Sequence, residues 1–143
     1  MLKFKLDERS VTALNGMFDN SSNNHDKQMF VPFRDFNYGK DSAFIICHGT
    51  SKGTIVIGTH SHYREYTSIE LLSKLYSYLQ SDRIKTLYVI CCYAGLLPEE
   101  TIDGVTIKGV CLDKTPISID YNSIIKQQTA TIYCCNPQQE LVA

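Results

Sequence analysis

The chain has 143 residues and a formal charge of −1. That length suits one domain, and a chain of this size buries about 68–70% of its unfolded surface, enough for one real core. With 43% hydrophobic and 20% charged residues the chain is not disordered, and its charge balance offers no basic field for nucleic acid or an anionic membrane.

Met1-Leu2-Lys3-Phe4-Lys5 alternates apolar and charged residues without an apolar signal core, so no secretory signal peptide is expected. Residues 1–28 read as irregular. Val11–Phe18 fits a short helix, and Asn20–Asp26 is a loop by composition. Met29–Phe33 reads as a short strand, and Pro32 places it at an edge. Ala43–Cys47 is a continuous apolar run, the mark of a strand buried on both faces, and it ends at His48-Gly49. Ser51-Lys52-Gly53 reads as a turn, Thr54–Ile57 as the returning strand of a hairpin, and Gly58–Arg64 as a polar loop.

Thr67-Ser68-Ile69-Glu70 is a capping box. Behind it Ile69, Leu71, Leu72, Leu75, Tyr76 and Leu79 recur at helical spacing, so Thr67–Gln80 is predicted as a helix closed by Ser81-Asp82. Thr86–Cys91 is a second fully apolar strand. Strand, helix and strand here imply a crossover and a parallel pair. Val105–Leu112 reads as a strand, Tyr121–Gln128 as a short helix capped by Asp120, and Ala130–Cys135 as a last strand stopped by Asn136-Pro137. No apolar run approaches the length of a membrane span. The class is α/β, as one domain over residues 1–143.

Cysteines stand at 47, 91, 92, 111, 134 and 135. Several close apolar runs, where a reduced cysteine acts as a small hydrophobe. With no signal peptide and a core of adequate size, a reducing, cytoplasmic compartment is expected. Cys91 reads as packing. Cys134-Cys135 reads as a packed strand end, because adjacent cysteines pair only under strain.

Two buried parallel strands thus end in reactive residues, one in His48 and the other in Cys91-Cys92. Parallel neighbours bring their carboxyl ends to one edge of the sheet, where open α/β folds bind ligands. A cysteine and a histidine meeting there are the minimum for a thiol nucleophile. Gly49 lets a substrate carbonyl approach, and its N–H with that of Cys92 could stabilise an oxyanion.

The stretch His48-Gly49-Thr50-Ser51-Lys52-Gly53-Thr54-Ile55-Val56-Ile57-Gly58, followed by a helix and by Ile90-Cys91-Cys92-Tyr93-Ala94-Gly95, resembles the caspase-like cysteine peptidases (caspases, gingipains, clostripain-type enzymes and self-cleaving toxin domains). In the caspase signature the histidine lies about 50 residues before the cysteine; here 44 separate His48 from Cys92. The register assigns the nucleophile to Cys92, with Ile90 at the glutamine position of that signature and Cys91 in place of its alanine. The resemblance implies a small three-layer domain with a mostly parallel central sheet. It implies a cysteine endopeptidase, a hydrolase acting on protein or peptide substrates or on its own chain. Cys92 would be nucleophile, His48 general base and acid, and Gly49 and Cys92 the oxyanion donors, with no metal or organic cofactor. An activating partner or small molecule fits such peptidases, whose free thiolate is hazardous.

The short, polar segment before the histidine strand motivates a second reading, a catalytically degenerate caspase-like module that binds a protein partner. A third is a zinc or thiol-redox domain using His60 and His62 with Cys47 or Cys91. It lacks Cys-x-x-Cys and His-Glu-x-x-His motifs, so a solvated loop is the better reading of His60-Ser61-His62. Lysines and arginines do not cluster, and no phosphate-binding glycine loop occurs. Pro98, six residues after Cys92, stands where a thiol phosphatase needs arginine.

Overall fold

A strand that is apolar on both sides is stable only when both faces are covered. The computed structural model, which describes residues 2–5, 30–58, 63–119, 129–134 and 136–138, places Ala43–Cys47 in such a strand, β3, at the centre of the main sheet. The remaining strands are β1 (Leu2–Lys5), β2 (Phe30–Phe33), β4 (Ile55–Gly58), β5 (Tyr63–Tyr66), β6 (Thr86–Ile90), β7 (Glu100–Ile102), β8 (Val105–Gly109), β9 (Ser118–Ile119) and β10 (Thr129–Tyr133). β3 itself spans Ser42–Gly49.

On one edge β3 pairs in parallel with β6, from Ser42 opposite Thr86 to Ile46 opposite Ile90. On its other edge two antiparallel partners divide its length. β2 lies beside Phe44–Cys47, and β4 takes over at His48 and Gly49. β5 adds outside β4, β8 lies parallel to β6, and β7 closes the far edge antiparallel to β8. The order is β5-β4-β3-β6-β8-β7, with β2 as the extra partner of β3.

The sheet is therefore mixed, which corrects the expectation of a mostly parallel one. Among the described strands only β3–β6 and β6–β8 run parallel. The reason is connection length. A parallel neighbour needs a crossover of a dozen residues or more, whereas tight turns return the chain antiparallel. The helix supplies a crossover between β3 and β6. Elsewhere Thr50–Thr54 and Asp103-Gly104 turn back at once. Asp103 (φ 43°) and Gly104 (φ 83°) both take positive φ, as a two-residue hairpin turn of the Asp-Gly type requires. β7 is thereby a strand that residue patterning did not predict. β5 likewise begins at Tyr63, inside the segment read as a loop.

The helix α1 runs Ser68–Ser81 with Thr67 as its N-cap, close to the predicted span. Glu70 N–H donates to Thr67 Oγ1 (3.3 Å), and Thr67 N–H donates to Glu70 Oε1 (3.1 Å). The Thr67 bonds hold the Glu70 carboxyl below its ordinary range. Leu71, Leu72, Leu75 and Leu79 recur on one helical face and are fully buried. α1 packs against β7 and β8.

Phe44 and Tyr88, opposite each other in the parallel register, stack at 5.4 Å. Phe33 stacks on Phe44 at 5.2 Å, and Phe4 of β1 closes on Phe44 at 4.8 Å. Tyr38 joins the cluster through Phe4 (4.7 Å) and donates its hydroxyl to the Lys3 carbonyl (3.0 Å). Burial, with Asp35 nearby, raises the Tyr38 phenol above its usual value. β1 belongs to a second, three-stranded antiparallel sheet of order β1-β10-β9. One α-helix occurs among the described residues, and the aromatic face of the main sheet packs against a strand of this small sheet. The helices predicted over Val11–Phe18 and Tyr121–Gln128 lie outside the described residues.

Cys111 and Cys134 form a disulfide, with Cα atoms 6.5 Å apart. This departs from the expectation of reduced thiols throughout. The cause is tertiary: Val110–Leu112 runs beside Asn136–Gln138, with Leu112 N–H donating to Asn136 O (2.6 Å) and Gln138 N–H to Val110 O (2.9 Å). Cys47, Cys91 and Cys92 are free. Among the described residues no helix is long and apolar enough to cross a membrane.

Leu75→Ala, at a fully buried helix position, is expected to cost about 2–5 kcal/mol, read as a lower urea midpoint at unchanged m-value. In denaturant without reductant, Cys111 and Cys134 are expected to resist alkylation and to become labelled once a reducing dithiol is added, a result read by peptide mass mapping.

Candidate active site

Side chains alternate along a strand. In β3 this puts Phe44, Ile46 and His48 on the aromatic face, and Ala43, Ile45, Cys47 and Gly49 on the other. Residues 43–47 are buried and His48 is exposed. The change falls where β6 ends: its last pair is Ile46 with Ile90. Extending that register by two places sets Cys91 beside Cys47 and Cys92 beside His48.

Cys47 and Cys91 meet as this predicts. Both are buried, and the Cys91 thiol acts on that of Cys47. Burial first, and then the Cys91 thiol, push the Cys47 thiol well above its usual value, so Cys47 stays protonated and inert. Cys92 is the free cysteine of this group with partial exposure. Its Sγ donates to the carbonyl of Ile117 at 3.7 Å.

Gly49 marks where the two strand ends touch. A Cβ there would collide with the carbonyl oxygen of Cys92 and come within 2.8 Å of Cys91 Sγ. Only a residue without a side chain lets the backbone of β3 lie this close to the Cys91-Cys92 turn. The chain then bends sharply. Tyr93 holds a left-handed conformation (φ 61°), costly for an aromatic residue, and leads into a 3₁₀ turn at Ala94–Leu96.

The other wall of the turn is the loop 112–117, which sequence reasoning did not single out. Tyr93 N–H donates to Thr115 O (3.1 Å), and Gly95 N–H donates to Asp113 O (2.7 Å). A Cβ on Gly95 would collide with the Leu112 carbonyl and stand 2.7 Å from the Asp113 carbonyl. The residues of this loop contribute mainly main-chain acceptors, and main-chain contacts leave little trace in residue type.

Beyond His48, the hairpin loop is held by hydroxyls. Thr54 Oγ1 donates to Glu65 Oε1 (2.5 Å), so its bond with Thr50 Oγ1 (2.6 Å) has Thr50 as donor. Thr50 N–H donates to Thr54 O (3.1 Å) and closes the same loop. Val56 stands opposite His48, and Glu65 opposite Val56, so His48 begins a row that runs across β4 to β5.

Among the described residues the zinc reading finds no centre. His60 and His62 lie outside the described residues, and Cys47 and Cys91 are buried against each other. Cys111, Asp113 and Cys134 gather closely enough for a metal, but the two sulfurs are bonded to each other and offer no thiolate. A surface groove lined by Arg64, Tyr66, Ile69, Glu70, Ser73 and Lys74 includes none of the candidate site residues His48, Gly49, Cys91 and Cys92.

Gly49→Ala tests the close approach. It is expected to destabilise the fold by about 1–3 kcal/mol through overpacking and to change the alkylation rate of Cys92. An unchanged urea midpoint together with an unchanged rate would show that the two strand ends do not touch. Compared with protein-family models, curated proteins and solved structures, the chain has no match.

Proposed function

We propose that the chain is a cysteine endopeptidase of the caspase-like kind, cleaving a protein or peptide substrate or its own chain. The single observation that supports this most is the packing of Gly49 against the Cys91-Cys92 turn at the common end of two parallel strands. It brings the main chain of His48-Gly49 to that of the one partly exposed thiol in the group.

In this reading Cys92 Sγ attacks the scissile carbonyl. His48 takes the thiol proton and later gives it to the leaving amine. The N–H groups of Gly49 and Cys92 bind the oxyanion. The Cys92 thiol donates to the Ile117 carbonyl, so attack requires it to exchange that carbonyl for the imidazole. This exchange is a natural point for the gating by a partner or small activator that such a thiol calls for. The proposed chemistry uses no metal or organic cofactor. A cytoplasmic setting suits a thiol that must stay reduced.

A second reading, a partner-binding module without turnover, draws on the same hydrogen bond, because there the thiol is spent as a donor to a carbonyl. Reactivity separates the two. Cys47 and Cys91 are buried, so Cys92 should be alkylated ahead of them by exposure alone, and selectivity by itself decides nothing. The deciding quantity is the pH profile. For a dyad, iodoacetamide labelling of Cys92 persists at mildly acidic pH, and His48→Ala lowers the rate there by about tenfold or more. Cleavage of a peptide library would fall by on the order of 10³-fold or more in Cys92→Ala and His48→Ala alike. A Cys92 profile indifferent to His48 removes the peptidase reading and leaves the binding module.

A further inference from the structure

We infer that the loop 112–117 is a strap that positions Cys92, and that Asp113 and the Cys111–Cys134 disulfide are its anchors. This rests on the dyad reading above and adds to it the residues that hold the nucleophile in register with His48.

The strap has two sides. Toward the nucleophile it presents main-chain carbonyls: Thr115 O accepts from Tyr93 N–H, Asp113 O from Gly95 N–H, and Ile117 O from the Cys92 thiol. These three bonds fall on one turn, at the thiol itself, at the next residue, and at the third. Tyr93 sits in a left-handed conformation that nothing in its own sequence favours, and such conformations persist only where the surroundings over-determine them. The strap is that surrounding. Gly95, with no room for a side chain against Leu112 and Asp113, brings the two segments close enough for the bonds to form.

Away from the nucleophile the strap is fastened to the segment that follows β10. Its first residue adjoins Cys111, which is bonded to Cys134. Asp113 spans the same gap with its carboxylate, where Oδ1 accepts from Asn136 Nδ2 (2.8 Å) and Oδ2 from Asn136 N–H (3.3 Å). Leu112 N–H donates to Asn136 O. Asp113 is thus the hinge of the device: its main chain holds the nucleophile turn and its side chain holds the anchor. Both sulfurs are buried, which protects the bond from exchange with external thiols and makes it a permanent fastening. The proposed site therefore works with one cysteine pair oxidised and the nucleophile reduced in the same chain.

The test is alkylation of Cys92 by iodoacetamide from pH 5 to pH 9 on the full chain, with folding followed by circular dichroism and thermal melting. The variants are Asp113→Ala, Asn136→Ala, and the double variant Cys111→Ala/Cys134→Ala. A positioning strap predicts that these variants lose the His48-dependent reactivity at the acid end by about tenfold, as His48→Ala does, while labelling near pH 9 stays within about twofold of the parent. Asp113→Asn keeps a carbonyl acceptor for Asn136 Nδ2 and is expected to retain most of the acid-end rate. If Asp113→Ala does not fold, Asn136→Ala reads the same contact from its other partner. Variants that melt lower but keep the parent's acid-end profile overturn the strap and leave the dyad standing. A parent whose profile does not depend on His48 overturns both.

Discussion

The parallel contact between β3 and β6 is the constraint on which the rest depends. Each strand is apolar on both faces, so neither is stable at a surface, and each finds its cover by lying in the middle of the sheet. Their register sets the aromatic stack of Phe44 on Tyr88 and the meeting of Cys47 with Cys91. It also decides what happens at the carboxyl ends. β3 runs three residues past the last pair with β6, and β4 supports that overhang. His48 is therefore held by a strand and yet exposed, a combination that a residue in the sheet interior cannot have.

The same contact sorts the thiols. Cys47 and Cys91 lie within the covered length of the sheet, where desolvation keeps the Cys47 proton in place. Cys92 falls just past the strand, at a turn, and reaches solvent. Chemically identical groups a residue apart thus acquire different environments from strand geometry alone. The turn that presents Cys92 is not self-supporting. Gly49 presses on it from one side, and the carbonyls of the loop 112–117 bind it from the other. The disulfide and the Asp113–Asn136 pair transfer that support to the end of the chain segment carrying β10.

Much of the main sheet was legible because its signals are local. The continuous apolar runs, the capping box at Thr67 and the leucines behind it each specify their element within a few residues. Pro32 correctly marked an edge, and His48 and Cys92 were legible as strand-end residues for the same reason. The elements that were not legible are those whose stability comes from elsewhere. Leu2–Lys5 shows the alternation of a half-buried strand, but only pairing with β10 and the contact of Phe4 with Phe44 make it one. Glu100–Ile102 is too short to stand out, although the Asp103-Gly104 turn after it is a hairpin signal. Tyr63–Tyr66 looks polar because its outward residues dominate a four-residue span.

What the sequence determined by itself was the class, the central strands, the helix and its cap, and the order in which histidine and cysteine arrive at strand ends. These follow from periodicity and capping, which act over one or two turns of chain. Tertiary structure alone decided the mixed sense of the sheet, the second sheet, the Cys111–Cys134 bond and the loop against Cys92. Each depends on segments far apart in sequence being brought within a few ångströms. Which of several cysteines pair, and which carbonyl meets which N–H, is a matter of distance in space, for which residue type carries almost no information.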